Sequence, residues 1–351
     1  MSQRRRMLSK LKNKAMDNNT RSKRIFGYDA LKVLAAFLVV LYHVGMVDLG
    51  YRAGEYYFPT VTQLLWLFTA AGVPLFFMVN GALTIGRRYD LKKSLTKAGR
   101  LVGLGTLWGI VVMALLAVRS NDLSSFSLGG IPYYWFLFSL ALMYVATYAL
   151  NRLPKWCTWA VICLLLICPF ATNLSWDIVR LITPGMHFPA WDHIGVFTMY
   201  GLVYMYAGHH LADKRPKWWT NLIFVLAGLA LIALECIAVV NAEGAQFEGG
   251  NYCFPTLGAL LLSVGIFGWG RHWSSASKGV CAVVAFLGNN ALGIYIFHLI
   301  LMIAVGWAFP QVAGSQVPAP VAVLIAVAYT FASAIISELI RRSPLRFLLK
   351  L

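Results

Sequence analysis

The sequence has few charged residues, and acidic ones are especially scarce. Only 12% of its 351 residues are Asp, Glu, Lys or Arg, and 13 acidic residues stand against 30 basic ones. A soluble domain carries about 25% charged residues, so this chain lacks the polar surface that a water-soluble particle of its size needs. Its six cysteines include no C-x-x-C pair, which argues against a redox or metal site of that kind. A disordered chain, a disulfide scaffold and a soluble enzyme are therefore excluded.

Apolar residues make up 59% of the chain, and they fall in repeated runs long enough to span a bilayer. We predict an all-α, polytopic membrane protein with about ten transmembrane helices. The first run carries Lys32 and His43 and is not followed by a small-residue cleavage site, which favours a retained helix over a signal peptide. The predicted spans are 28–49, 62–85, 99–119, 133–150, 156–173, 193–212, 218–241, 253–270, 280–307 and 318–339.

Basic residues alternate between the connections of these spans. One set of connections holds 26 Lys and Arg residues, whereas the opposite set holds only Arg52, Arg119 and Arg180. Because cytoplasmic loops retain Lys and Arg, both termini are predicted to be cytoplasmic. The chain then divides into a basic tail (1–27), a transmembrane domain (28–339) and a basic C-terminal tail (340–351). The longest outer connection, about 174–192, is of a length that is often functional.

The same distribution bears on the partners of the protein. The basic N-terminus suits contact with anionic lipid headgroups, so membrane lipids are expected partners. Nucleic acid is not an expected partner, because the basic segment has no interleaved aromatic residues and no nucleic-acid module. No metal site is predicted either.

The first span contains ionisable residues, which are costly inside a membrane and therefore need a partner or a function. Lys32 and His43 are 11 residues apart, which is close to three helical turns, so they share a face about 16 Å apart along the axis. Asp29 lies three residues before Lys32 and can reach it. A snorkelling lysine and a hydrogen-bonded structural histidine form the simpler alternative.

Two other spans carry ionisable groups near their middle, Glu235 in the seventh and His298 in the ninth. Counted from the inner ends of their spans, His43, Glu235 and His298 lie at depths that agree within about 5 Å. A histidine with a nearby carboxylate suits general-base chemistry, so these three residues are the candidate catalytic group.

A second group is predicted at the inner membrane surface. Arg87, Arg88, Lys92 and Lys93 precede the third span, and Lys97 and Arg100 share one face of its start. Converging cations suit a polyanion such as the phosphates of a nucleotide-type cofactor. Ordinary positive-inside charge is the alternative, and it accounts for the first four more readily than for Arg100.

Several motifs occur in the order found in one family. Asp29-x-x-Lys32 with Tyr42-His43, Phe76-Phe77 through Asn80-Gly81, Lys97-x-x-Arg100, Trp135-Phe136-Leu137 and Tyr295-x-x-His298 together resemble the signature of the acyltransferase-3 family of integral membrane acyltransferases. Lys32 stands where the family usually has Arg, and Asn80 stands where it usually has Ser. The chain looks more like the single-domain members of the family than like those that carry a separate periplasmic hydrolase-like domain.

This resemblance implies an acyl-CoA-dependent O-acyltransferase of the bacterial cytoplasmic membrane. The expected donor is acetyl-CoA, and the expected acceptor is a hydroxyl of an envelope sugar or lipid-linked glycan. Lys32, Lys97, Arg100 and Asp29 would serve the donor, His43 would be the base, and Glu235 or His298 would orient His43 or help to bind the acceptor. The motif residues Trp135, Asn80 and Tyr295 would contact substrate. The alternative function is a proton-coupled transporter or flippase for a lipid-linked sugar or anion, since intramembrane His, Glu and Lys suit that role too.

Overall fold

The computed structural model describes residues 25–48, 51–52, 55–56, 67–86, 90–120, 134–183, 197–243, 255–308 and 319–349. Within these ranges the chain forms twelve α-helices, three 3₁₀ segments, one π-helical segment and one two-residue β pair. The α-helices are α1 (Phe26–Asp48), α2 (Gly72–Thr84), α3 (Leu91–Ser120), α4 (Trp135–Leu150), α5 (Lys155–Leu165), α6 (Thr172–Ile182), α7 (Gly201–Leu211), α8 (Trp218–Glu243), α9 (Leu257–Gly270), α10 (Lys278–Asn289), α11 (Ala291–Ala308) and α12 (Ala319–Arg342). The 3₁₀ segments are Phe68–Ala71, Phe197–Tyr200 and Pro344–Leu349, the π-helical segment is Leu166–Ala171, and β1 (Tyr51–Arg52) pairs antiparallel with β2 (Glu55–Tyr56).

The all-helical, membrane-spanning character of the chain is confirmed. Five stretches of described helix are long and apolar enough to cross a membrane, and six are when the bent pair α10–α11 counts as one span. Three shorter apolar segments, Phe68–Thr84, Trp135–Leu150 and Leu257–Gly270, fall below the length required. Each predicted span overlaps a helix. The count of about ten spans, and the side on which the termini lie, stay predictions.

Helix α1 lies at the centre of the helix packing. It contacts α2, α9, α10, α11 and α12, and side chains around it, including those of Leu31, Ala35 and Val40, are completely buried. Small and branched apolar residues suit this position because they let several helices approach one axis. Of the five described stretches long enough to cross a membrane, the one that carries Lys32 and His43 is therefore the most enclosed.

Helices α2 and α7 approach each other closely at two glycines. A Cβ on Gly81 would overlap the main chain of Met205, and a Cβ on Gly208 would overlap the main chain of Met78. The sequence predicts a kink or a close helix approach at Asn80-Gly81, and the close approach is what the structure has. Such small-residue contacts are typical of helix packing in membranes, where van der Waals contact replaces the hydrophobic driving force.

The fifth predicted span, 156–173, is shorter than the helical stretch found there. Helix continues from Lys155 through the π-helical segment to Ile182, so the first part of the predicted outer connection 174–192 is helical; residues 184–192 lie outside the described residues. Pro169 sits in the π-helical segment, where the missing N–H and the bulk of the ring disturb the regular hydrogen-bond ladder. The proline and the polar residues after it made this stretch resemble a loop.

The ninth predicted span is two helices. Helices α10 and α11 meet at Asn290 with a bend of 70°. The Asn290 side chain accepts a hydrogen bond from Ser337 Oγ (2.8 Å) and donates one to Glu338 Oε2 (3.2 Å), so α12 holds the bend. Arg341 adds a hydrogen bond from Nη1 to the Asn289 carbonyl (3.1 Å).

Part of the predicted C-terminal tail packs against the helices. Helix α12 extends to Arg342, and the 3₁₀ segment Pro344–Leu349 follows it. Trp108 Nε1 of α3 donates a hydrogen bond to the Leu348 carbonyl (3.3 Å), and Leu349 is buried.

Candidate active site

Two histidines from different helices meet inside the protein. The rings of His43 (α1) and His298 (α11) lie with their centroids 5.1 Å apart. His298 is completely buried, and its Nδ1 lies 3.0 Å from the Ile294 carbonyl. A carbonyl only accepts hydrogen bonds, so Nδ1 carries the proton and Nε2 of the neutral ring is left with a lone pair. That Nε2 is buried and makes no hydrogen bond to any residue that the structure describes.

His43 has a different environment from its partner. Protein atoms surround it densely, but it is only half-buried, whereas His298 is completely buried. The neighbouring Tyr42 ring packs edge-on against His43, with centroids 5.1 Å apart. The pair therefore consists of one half-buried imidazole and one fully buried imidazole.

Aromatic side chains from α4 and α11 form a wall beside this pair. The Tyr295 ring lies 6.1 Å from His298 and 5.3 Å from Phe136, measured between centroids. The Tyr295 hydroxyl is hydrogen-bonded to the main chain of Phe136, and the Tyr134 hydroxyl donates to the Ile296 carbonyl at 2.8 Å. Trp135 packs edge-on against Phe136. These contacts fix α4 against the turn of α11 that carries His298.

Lys32 lies on the same continuous helix as His43, nearer its start. Its Nζ is 3.5 Å from Asp29 Oδ1, and its side chain is 30% exposed whereas that of Asp29 is 9% exposed. The predicted Asp29–Lys32 contact is confirmed. Asp29 also packs against Gly288 at the end of α10, so the carboxylate is held by tertiary contact while the ammonium group keeps access to solvent.

The structure brings Lys97 and Asn80 together through a residue that the sequence analysis did not select. Lys97 Nζ lies 5.1 Å from the centre of the Tyr144 ring, and the Tyr144 hydroxyl donates a hydrogen bond to Asn80 Oδ1 (3.1 Å). Asn80 in turn donates from Nδ2 to the Phe76 carbonyl (2.8 Å). Arg100, one turn beyond Lys97 on α3, is exposed. Helices α2, α3 and α4 thus share one polar contact.

Glu235 belongs to a separate cluster. It is buried in α8, where Thr256 hydrogen-bonds to it and Asp177 and Arg180 lie within electrostatic reach. Arg180 Nη1 is 3.1 Å from Asp177 Oδ1, and both of these side chains are buried. Helix α8 packs mainly against α9 and α6. Among the described residues, the interactions of Glu235 are with Thr256, Asp177 and Arg180, whereas the two histidines contact each other; the meeting of Glu235 with His43 and His298 stays a prediction.

A comparison with protein families identifies the chain. The model of the acyltransferase-3 family, described as an acyltransferase domain, matches residues 25–339, which is nearly the whole chain. The chain belongs to the acyltransferase-3 family. No curated protein and no solved structure matches it significantly.

Family membership makes this chain a multi-pass membrane acyltransferase and confirms the resemblance noted in its motifs. The residues of those motifs occupy two regions of the acyltransferase. His43, His298, Tyr295 and Trp135 lie at or beside the histidine pair, whereas Lys97 and Asn80 lie in the polar contact through Tyr144.

The sequence analysis missed three residues, one in the polar contact with Lys97 and two in the cluster around Glu235. Tyr144 lies within an apolar run, and only tertiary packing places it between Lys97 and Asn80. Asp177 and Arg180 were assigned to an outer loop. Their spacing of three residues, the same spacing that predicted the Asp29–Lys32 pair, was the available sign that they form an ion pair on a helix.

Proposed function

We propose that this acyltransferase moves an acyl group from cytoplasmic acyl-CoA to a hydroxyl group of an envelope sugar or lipid-linked glycan. The acyl group proposed is acetyl, and the proposed location is the cytoplasmic membrane of a bacterium. The observation that carries the proposal is the contact between the half-buried His43, on the helix that also carries Lys32, and the completely buried His298 of α11. Acyl transfer to a hydroxyl needs a base at the acceptor, and an imidazole serves that purpose near neutral pH.

In the proposed reaction His43 is the base. It removes the proton from the acceptor hydroxyl, whose oxygen attacks the thioester carbonyl carbon of acyl-CoA. The new ester C–O bond forms, the C–S bond breaks, and the CoA thiolate leaves and is protonated by the imidazolium. His298 acts through His43, because its Nδ1 is held by the Ile294 carbonyl and its ring packs against the ring of the base. It therefore keeps the base in a fixed orientation.

The donor is proposed to enter from the cytoplasmic side. Lys32 lies three turns from His43 on one face of α1, about 16 Å along the axis, and an extended pantetheine arm suits that separation. Lys97 and Arg100, exposed or half-buried at the start of α3, would bind the other phosphates as charge-assisted partners. Asp29 holds Lys32 in place. With both termini cytoplasmic, these cations lie on the side where CoA is found.

The acceptor is proposed to approach His43 past the aromatic wall. Trp135, which is half-buried, is proposed to offer a face on which a sugar ring can pack, with the buried Tyr295 behind it as part of the wall. The position of Asn80 beside Tyr144 favours a role on the donor side. Glu235 is buried and engaged with Thr256 and Arg180, so we propose no role for it in orienting His43. The transporter alternative finds no support in the family assignment.

The test uses purified, detergent-solubilised protein. We expect it to bind acetyl-CoA and to hydrolyse it slowly, with His43→Ala lowering hydrolysis by about 10²–10⁴-fold and leaving binding in place. Lys32→Ala should weaken binding by about tenfold, the loss of roughly one charge-assisted hydrogen bond. His210→Ala and Lys278→Ala, an inner-end histidine and an exposed lysine, are the matched controls. Wild-type turnover by correctly folded His43→Ala protein excludes the base role, and absence of acetyl-CoA binding by the wild type excludes the function.

A further inference from the structure

Arg271 presents a buried hydrogen-bond donor that no described residue of the acyltransferase satisfies. It follows the last residue of α9, and its main-chain N–H donates to the Phe267 carbonyl (3.1 Å). Its own carbonyl packs against Gly27 at the start of α1, where no Cβ would fit. Nη1 of its guanidinium is buried and makes no hydrogen bond to any described residue. Arg271 as a whole is half-buried, but this one donor is shielded from water and has no described partner, an unfavourable arrangement that points to a ligand.

The groups around Arg271 compensate its positive charge only in part. Tyr28 of α1 faces it, together with Asp213 and Arg215 from the turn after α7. Burial is the largest influence on the pKa of Arg271 and lowers it, whereas the attraction of Tyr28 and Asp213 raises it by less. Arg215 adds a second positive charge nearby and offsets the charge of Asp213.

This arginine lies beside the predicted donor entrance. Tyr28, which faces Arg271, is four residues before Lys32 on α1, so the two side chains are neighbours on one face of the helix. Leu31 between them packs against Gly270, the residue before Arg271. The end of α9 therefore packs against the start of α1. Arg271, Tyr28 and Lys32 lie one after another at the predicted inner end of these helices.

We infer that Arg271 binds a phosphate group of the acyl-CoA donor beside Lys32. The inference rests on the proposed function and adds a position that none of the family motifs includes. Acyl-CoA carries a diphosphate and a separate ribose phosphate, so it needs more than one cationic position. A guanidinium offers two parallel N–H groups to a phosphate, and the phenol of Tyr28 adds a neutral hydrogen-bond donor next to it. Arg271 supplies the planar fork that Lys32 lacks.

The test compares Arg271→Gln with Lys278→Gln, which removes the same charge from an exposed position seven residues away by sequence. Binding of acetyl-CoA and of 3′-dephospho-acetyl-CoA is measured by titration calorimetry on each purified protein, with thermal unfolding as the check on folding. We expect Arg271→Gln to weaken acetyl-CoA binding by about 10–100-fold, the usual loss for a charged hydrogen-bond pair, and Lys278→Gln to change it by less than about twofold. Arg271→Lys should fall between the two, because it keeps the charge and loses the fork.

The dephosphorylated donor identifies which phosphate Arg271 holds. Equal losses for both donors in Arg271→Gln place Arg271 on the diphosphate, and a loss confined to acetyl-CoA places it on the ribose phosphate. An unchanged acetyl-CoA affinity in folded Arg271→Gln overturns the inference while the proposed function stands. If acetyl-CoA affinity is unchanged but stabilisation by phosphatidylglycerol vesicles is lost, the anion is a lipid headgroup and the inference is again overturned. Failure of the wild type to bind acetyl-CoA overturns the proposed function itself.

Discussion

The orientation of His298 determines what it can do for His43. Its Nδ1 proton is committed to the Ile294 carbonyl one turn earlier on α11, so the imidazole cannot rotate without breaking that hydrogen bond. The lone pair on Nε2 is left in the buried space next to the His43 ring. His298 is thus a positioning residue that acts through His43.

His298→Ala should lower turnover with little effect on donor affinity. We expect kcat for acetyl-CoA hydrolysis to fall by about tenfold to a hundredfold, less than for His43→Ala, because the base remains but loses its fixed orientation. Ser263→Ala on α9, which also removes a buried group hydrogen-bonded to the preceding turn, should leave kcat unchanged. Steady-state kinetics of both variants, with calorimetric acetyl-CoA affinity, provide the measurement. A His298→Ala protein that loses donor binding instead would contradict the positioning role.

The sequence analysis placed His43 and His298 at a similar depth in the membrane, but part of the argument was wrong. It counted residues from the inner end of one straight ninth span, whereas the chain bends by 70° after Asn289. His298 is therefore eight residues beyond the bend and not 18 residues along a single helix. The family motif identified the right residues, but the bend depends on hydrogen bonds from Ser337 and Glu338, which lie almost 50 residues away in sequence.

At the scale of elements, glycine contacts set how closely helices approach. The contact between α2 and α7 is reciprocal, because Gly81 faces Met205 and Gly208 faces Met78. Both obstacles are main-chain atoms, which cannot move aside as a flexible side chain can. Asn80 next to Gly81 carries the hydrogen bond from Tyr144, so the same contact also positions the polar group near Lys97.

Gly81→Ala should separate α2 from α7 and destabilise the protein. We expect a loss of about 1–3 kcal/mol or more, which is typical of overpacking in a close-packed interior. Gly103→Ala is the matched control, since a Cβ there meets nothing within 4 Å and should stabilise α3 by about 0.5–1 kcal/mol through the helix preference of alanine. Thermal unfolding in detergent measures both. Equal melting temperatures for Gly81→Ala and Gly103→Ala would show that the helices are free to adjust.

The lengths of most helices could be predicted from the apolar runs in the sequence, because a segment in lipid must form its backbone hydrogen bonds within its own helix. The stretch from Lys155 to Ile182 departed from that rule, since its second half is strongly amphipathic and carries Asp177 and Arg180. Those two residues are buried against each other and near Glu235, so their charges do not mark a solvent-exposed loop. Sequence alone does not reveal which charges find a buried partner.

At the scale of the whole molecule, the outer surface of the helices is apolar. Trp156, Leu164, Ile167, Ile178 and Ile182 are all exposed along α5–α6, in a protein whose mean hydropathy is +0.68. Exposed apolar side chains along the full length of a 28-residue helical stretch are expected of a surface that faces lipid. The direction in which that stretch crosses the membrane is predicted from the Lys and Arg residues in the connections at its two ends.

The two ends of this stretch should label from opposite sides of the membrane. Lys155 belongs to a basic connection that is predicted to be cytoplasmic. Thr183 lies at the other end of the stretch, in a connection that is predicted to be on the outer side, and both residues are exposed. In a chain whose six cysteines are replaced by serine, a membrane-impermeant maleimide on intact cells should modify Thr183→Cys. It should modify Lys155→Cys only after the membrane is permeabilised, because Lys and Arg are retained on the cytoplasmic side. Modification of both from outside would make the stretch re-entrant, break the alternation on which the ten spans depend, and place the cations proposed to bind acyl-CoA on the wrong side of the membrane.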